Sequence, residues 1–495
     1  MVYPHTFRTE HSETKTTSAT YGEYYARQIQ KKITIQPQLL KIFQYVDSNR
    51  NEILKNLQNA VKIPSISGEL KYRSDVHKMI KYTEDWLTKL GVKYECFNVG
   101  FHELEGKKYH IPSIILGSIG NDYSKKTVCV YGWLDVKHPD KTKWNTDPWD
   151  VTEIHKRLYG CGTSAGKSTL ISWFTAIKAF QNSNLDLPVN IKFVIESMHY
   201  QESQGLEAFL ALRRQDFFFN VNYVVVCDSE WIGEKYPCLT YGSVGMLHFK
   251  VTIEKSKDSH TDIKDNMIKI FERIHDEKDN ILIPKFNDYV QQITPDEEQV
   301  YEAIRDFDVE EIRDTLPEYK RKWDKVKVLM HFWRLPSILV NDIEECTCEK
   351  QDKTKIKRHF IIKIVPRQIV EKSTQLTLQH INNVCKELKI DNKVDAELVS
   401  ASRPWIEDIR SPNYEAARRA TIQVYKEDPN MIREDRDLKV VTMLNRILEK
   451  SILVWPTGDC MINSGGNNEN ILKKHYYEGI KLMGAYLFQI SYIKD

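Results

Sequence analysis

His199, Glu202, Asp135 and Asp228 are side chains that could move protons or hold ions. An imidazole, with a reference pKa of about 6.5, is a base near neutrality, and carboxylates supply charge and lone pairs. Cys161 and Cys460 add two thiols, and His199 would be their base. Such a thiol needs a lowered pKa and a placed base. The expected role of both cysteines is ordinary small apolar packing. Asp135 and Asp228 are expected mainly to cap strand ends. The run Gly162-Thr163-Ser164-Ala165-Gly166-Lys167-Ser168-Thr169 hints at a phosphate loop. That motif needs four residues between its glycines; three separate Gly162 from Gly166 and five separate Gly160 from Gly166, so nucleotide binding is not expected. Cys346 and Cys348 lack the second pair that a structural zinc site requires.

The elements that must position these residues alternate. Apolar residues from Leu39 to Val61 fall at helical spacing. The runs Thr127–Val130, Ile191–Ile195 and Tyr223–Cys227 read as buried strands, with helices at Thr169–Phe180 and Leu206–Leu212 between them. This order predicts an α/β fold, a mainly parallel sheet covered by helices, with functional groups at the carboxyl ends of its strands. After about Leu239 the pattern changes. Leu247–Ile253 alternates like a half-buried strand, Phe360–Val365 is another strand, and Val370–Leu388 is a helix. Asn413–Tyr425 and Lys474–Ile493 are helical, with the apolar run Ile452–Trp455 between them. The expected organisation is a tail over 1–37, disordered or docking on a partner, then a first domain over 38–240 and 406–495. An α+β domain over 241–405 is inserted into it. A length of 495 residues demands more than one core. The net charge of +2 excludes a broad basic surface for nucleic acid or anionic lipid. No apolar run approaches a membrane span, and Met1–Glu10 has no signal-peptide core. Nine scattered cysteines point to a reducing, cytoplasmic setting.

Four segments carry a resemblance. They are Val128-Cys129-Val130-Tyr131-Gly132-Trp133-Leu134-Asp135-Val136, Trp144-Asn145-Thr146-Asp147-Pro148-Trp149, Arg157-Leu158-Tyr159-Gly160-Cys161-Gly162 and Asp279-Asn280-Ile281-Leu282-Ile283-Pro284. Together with Arg403-Pro404-Trp405 and Tyr477-Glu478-Gly479, they resemble the cytosolic nonspecific dipeptidases and carnosinases, of the aminoacylase–carnosinase group. The resemblance runs from about residue 38 to 495. It implies a peptidase-type domain with an inserted lid and dimerisation domain. It also implies two zinc or manganese ions that share a bridging carboxylate and water, with a glutamate as base.

Carried over one position at a time, the resemblance implies that most ion-binding side chains are replaced. Trp133 stands where the family has a ligand His, and an indole N–H cannot coordinate an ion. Ala165 stands at the bridging Asp, Tyr200 at a ligand Glu and Gly465 at the last ligand His. Asp228 alone keeps a metal-binding side chain. His199 replaces the glutamate base, Asp135 keeps the place that orients the missing His, and Lys363 replaces a substrate-gripping Arg. His260 matches a lid-domain His that reaches the partner subunit's site. Asp435 and Asp437 replace small residues beside the substrate carboxylate and would repel it. His199, Glu202 and Asp228 are weighed as an improvised ion site. The expectation is therefore a catalytically inactive scaffold or structural assembly component, without a cofactor. It would be a homodimer through the lid, docked by its tail into a larger, even cytoskeletal, assembly. The alternative is a residual metal-dependent dipeptidase.

Overall fold

The computed structural model describes residues 35–256, 261–278, 280–348 and 353–493. The expected tail lies, up to residue 34, outside the described residues, and so does its expected docking. Pro37 already opens a helix, Pro37–Ser48, in keeping with proline at a first helical turn. The helical spacing from Leu39 to Val61 is carried by two helices, Pro37–Ser48 and Arg50–Val61, because the backbone turns out of helical geometry at Asn49 (φ −112°, ψ 20°).

Among the described residues the larger sheet has nine strands. Its first eight run in the order Lys93–Phe97, Ile114–Ile119, Asn190–Glu196, Thr127–Trp133, Tyr223–Val226, Ser451–Val454, Cys238–Ser243 and Trp405–Ile406, and Asn430–Glu434 pairs with Cys238–Ser243. The four strands from Asn190–Glu196 to Ser451–Val454 are mutually parallel, and antiparallel pairs lie outside them. Thr127–Trp133 is buried along its whole length, as a strand covered on both faces must be. One cover is the helix Lys167–Asn182, packed with the C-terminal helix Lys473–Ser491 and Pro37–Ser48. The other face carries Leu206–Arg213 and Lys439–Leu448. Close approach decides one sequence choice: a Cβ on Gly132 would lie 2.5 Å from Leu170 Cδ2.

The second sheet is antiparallel, in the order Ser337–Cys348, Lys353–Ile364, Gly245–Glu254, Lys393–Ala401. Gly245–Glu254 alternates buried and half-buried residues. Leu247, Phe249, Val251 and Ile253 face a core closed by Ile263–Phe271 and Val370–Glu387.

Candidate active site

The carboxyl ends of the parallel strands deliver Trp133, Glu196 and, just past Val226, Asp228 to one edge of the sheet. A cleft of about 290 Å³ opens there, lined among others by Tyr131, Lys137, His199, Tyr200, Asp228 and Arg436.

Its floor is aromatic. The Trp133 ring stacks on the His199 ring, with centroids 4.1 Å apart and planes 13° apart. Tyr200 meets His199 edge-on at 5.1 Å. Its hydroxyl stands 2.6 Å from where a Cβ on Gly465 would be, so the ring fills room that a side chain at 465 would need. Gly465 itself has φ +63°. Ala165 is buried among the same residues. Trp133, Tyr200 and Gly465, three positions that the resemblance reads as replaced ligands, therefore form one packed unit together with His199.

Asp135 has taken a different job from orienting a side chain. It is buried and accepts the backbone N–H groups of His199 (3.1 Å) and Tyr200 (3.0 Å) and the Ser67 hydroxyl (2.7 Å), which pins the turn that presents His199. Burial raises its carboxyl above the ordinary value despite the nearby His199 and these donors. Behind His199, the Tyr131 hydroxyl lies 3.0 Å from Nδ1 and donates to Glu196 Oε1 at 2.5 Å. With Glu196 ionised, that single phenol hydrogen is committed. Nδ1 then carries its own proton toward the phenol oxygen, and Nε2 keeps the lone pair of a base. Burial holds the imidazole below its ordinary pKa, hence neutral.

Asp228 is 18% exposed and has a cation of its own. Arg436 Nη2 lies 3.2 Å from Asp228 Oδ1, and Arg436 Nε lies 3.4 Å from Glu434 Oε2. The Ser229 N–H adds a 2.7 Å bond to Asp228 Oδ1. Burial opposes ionisation of Asp228, but Arg436 leads the groups that outweigh it and hold the carboxyl below its usual value. Burial pushes Glu434 up to about 8.

The structure redirects several residues picked out from the sequence. Lys363 is buried and donates to the carbonyls of His331 (3.0 Å) and Phe332 (2.9 Å), at the end of the helix Lys325–Trp333. It caps a helix there, a favourable place for a cation. Glu202 pairs with Lys439 at the exposed rim. Among the described residues, no group of three His, Cys, Asp or Glu side chains is arranged to hold an ion, so the improvised set of His199, Glu202 and Asp228 is not assembled. Burial pushes the Cys161 thiol far up and the Cys460 thiol to about 11, the wrong direction for a nucleophile. The glycine loop is filled from within. Glu469 accepts the N–H groups of Gly162 (2.9 Å) and Ser164 (3.0 Å) and the Ser164 hydroxyl (2.8 Å), while Lys167 Nζ bonds the carbonyls of Ala60 and Ile63. His260 lies outside the described residues. The sequence reading missed Glu469, Tyr131, Glu196 and Arg436. Only Arg436 left a signal, a cation placed where the resembled family has a small residue.

Residues 129–489 match the model of peptidase family M20/M25/M40. The chain belongs to that family. It is 32% identical over 474 residues to the Beta-Ala-His dipeptidase of Homo sapiens, covering 92% of this chain and 93% of that one. It is 30% identical to the Cys-Gly metallodipeptidase dug1 of Schizosaccharomyces pombe, covering 91% and 98%. The crystal structure of human carnosine dipeptidase 1 superposes with a TM-score of 0.79 at 31% identity, over 93% of this chain and all of that one. The dipeptidase Dug1p of Saccharomyces cerevisiae gives 0.79 at 28% identity, over 92% and 99%.

These findings correct two expectations for this M20 chain. The inert scaffold, with its structural and cytoskeletal role, is overturned: relatives that match along almost the whole chain are named as dipeptidases. The expectation of no cofactor is overturned as well, because the yeast relatives are named metallodipeptidases, so metal ions belong to the family's chemistry. The donors present around Asp228 do not, however, fit a two-ion centre. Rings fill one side, and a guanidinium sits on the Asp228 carboxylate.

Proposed function

We propose that this protein acts on short peptides, as a slow dipeptidase whose turnover depends on an added divalent ion. The single observation that carries this reading is the dipeptide-sized cleft, with Asp228 at its strand end, on a chain similar to dipeptidases over nearly its full length. In this reading His199 is the proton acceptor, held through Nδ1 by Tyr131 and through its backbone by Asp135. Lys137, whose ammonium lies 5.1 Å over the Tyr200 ring, meets the peptide's carboxylate at the rim. Trp133, Ala165, Tyr200 and Gly465 occupy the places of ion-binding side chains. Losing even a residue that supports a ligand costs about 10–100-fold. Turnover far below an ordinary dipeptidase rate is therefore expected.

The same reading takes 38–240 with 406–495 as the peptidase-type unit and 241–405 as a lid through which two copies pair, in the cytoplasm. Exposed apolar side chains on the outer strands of the second sheet, Leu339 and Val399, support the pairing. No described helix is long and apolar enough to cross a membrane.

The test is hydrolysis of a dipeptide panel, including β-Ala-His and Cys-Gly, by the purified full chain with added manganese or zinc. Ion-dependent turnover that falls at least tenfold in His199→Ala is expected. Absence of turnover with either ion, or turnover unaffected by Asp228→Asn, would overturn the reading.

A further inference from the structure

The cleft holds a positive charge that belongs to the chain. Asp228 is mostly buried, and a buried carboxylate needs a counter-charge or hydrogen-bond donors to stay ionised. Arg436 provides that counter-charge from the segment Glu434-Asp435-Arg436-Asp437, spanning Asp228 on one prong and Glu434 on the other. The guanidinium is planar, permanently charged and half exposed at the cleft wall. Oδ1 of Asp228 is doubly occupied, by Arg436 and by the Ser229 N–H. A divalent ion bound to Asp228 would stand within a few ångströms of the guanidinium, where like charges repel strongly in a partly buried site. Beside Asp228 the cleft offers the Tyr200 ring and the one imidazole lone pair of His199, with Trp133 stacked behind it, and no second carboxylate closes an ion site there to offset the repulsion.

We infer that Arg436 and a divalent ion compete for Asp228, so that an ion enters this cleft only by displacing the guanidinium. This rests on the reading of the cleft as an ion-assisted peptidase site. Arg436 is then the group that keeps a divalent ion off Asp228.

The test is ion binding, measured apart from turnover. Full-length protein stripped with a chelator is titrated with manganese and, separately, zinc, by calorimetry and equilibrium dialysis. The variants are Arg436→Gln, Arg436→Lys and Arg436→Gln with Asp228→Asn. Arg436→Gln is expected to bind at least tenfold more tightly than the parent, and Arg436→Lys, which keeps the charge but loses the two-pronged grip, only a few-fold. The double variant is expected to lose the gain. Arg436→Gln binding no more tightly than the parent, or a gain that survives Asp228→Asn, would overturn the competition. If Arg436→Gln does not fold, the few-fold gain of Arg436→Lys decides, and no gain overturns the inference. Tighter ion binding without hydrolysis of any dipeptide would sink the dipeptidase reading and leave the competition standing.

Discussion

At the scale of single residues, burial outweighs hydrogen bonding at Glu196, whereas the Arg436 charge outweighs burial at Asp228. Glu196 sits under Tyr131 and Ser203 at the end of its strand, and burial pushes its carboxyl up from an ordinary 4.5 to about 7, against the hydroxyl donors that favour its charge. A raised value means that the folded chain keeps a proton that the unfolded chain has already released. Stability from this group is therefore present below about pH 4.5 and is lost as pH rises through about 7, at most about 3 kcal/mol for such a shift. Glu196→Gln should abolish this slope, so that guanidinium denaturation at pH 5 and pH 8 differs less than in the parent. An unchanged slope would place the proton elsewhere. The same residue orders the relay through Tyr131 to His199, so the substitution should also slow any turnover, read as a fall in kcat at constant KM.

At the scale of elements, the loop at the head of Lys167–Asn182 owes its shape to Glu469. Three donors of the loop converge on that carboxylate, which sits where a loop of this composition elsewhere meets a phosphate. Glu469→Ala would strand buried N–H groups. A loss of about 3 kcal/mol is expected, against roughly 1 kcal/mol for Glu469→Gln, read from thermal unfolding. Inorganic phosphate should rescue neither, since Lys167 is spent on two carbonyls. The second sheet gives a separate expectation. Among the described residues its outer strand Ser337–Cys348 has one edge without a partner strand, and it carries Leu339 63% exposed. Open strand edges with apolar side chains invite pairing. Leu339→Glu should shift the protein from dimer toward monomer in light scattering after gel filtration, with no loss of thermal stability in the monomer. A parent protein that is already monomeric would refute the lid pairing.

At the scale of the molecule, one carboxylate joins the inserted segment to the larger sheet. Glu297 Oε1 takes both Arg334 Nε at 3.1 Å and Arg433 Nη2 at 2.6 Å, all three side chains largely buried. Removing the shared charge leaves two buried guanidinium groups uncompensated. Glu297→Gln is expected to cost about 3–5 kcal/mol. It should also open the junction to limited proteolysis before global unfolding. Denaturation within about 1 kcal/mol of the parent would show that the clamp is dispensable.

Much of this was legible in the amino-acid order. Hydrophobic period and turn residues placed the strands Thr127–Trp133, Asn190–Glu196 and Tyr223–Val226 and the helices Lys167–Asn182, Val370–Glu387 and Pro412–Tyr425 to within a few residues, since a two-sided buried strand and an amphipathic helix write their burial into the chain. Motif order alone gave the resemblance to carnosinase-like dipeptidases, and with it the expectation that Asp228 is kept and other ligand positions are replaced. It could not weigh those replacements against the chemistry of relatives, and the inert reading went too far. What only the tertiary structure decided was partnership across distance. Glu469 meets Gly162 from 307 positions away, Arg436 meets Asp228 from 208, and Lys363 turns to a helix end 31 and 32 positions back. A linear pattern carries no record of such pairings. They follow from where the sheet brings the chain back, and from the requirement that each buried charge find a partner there.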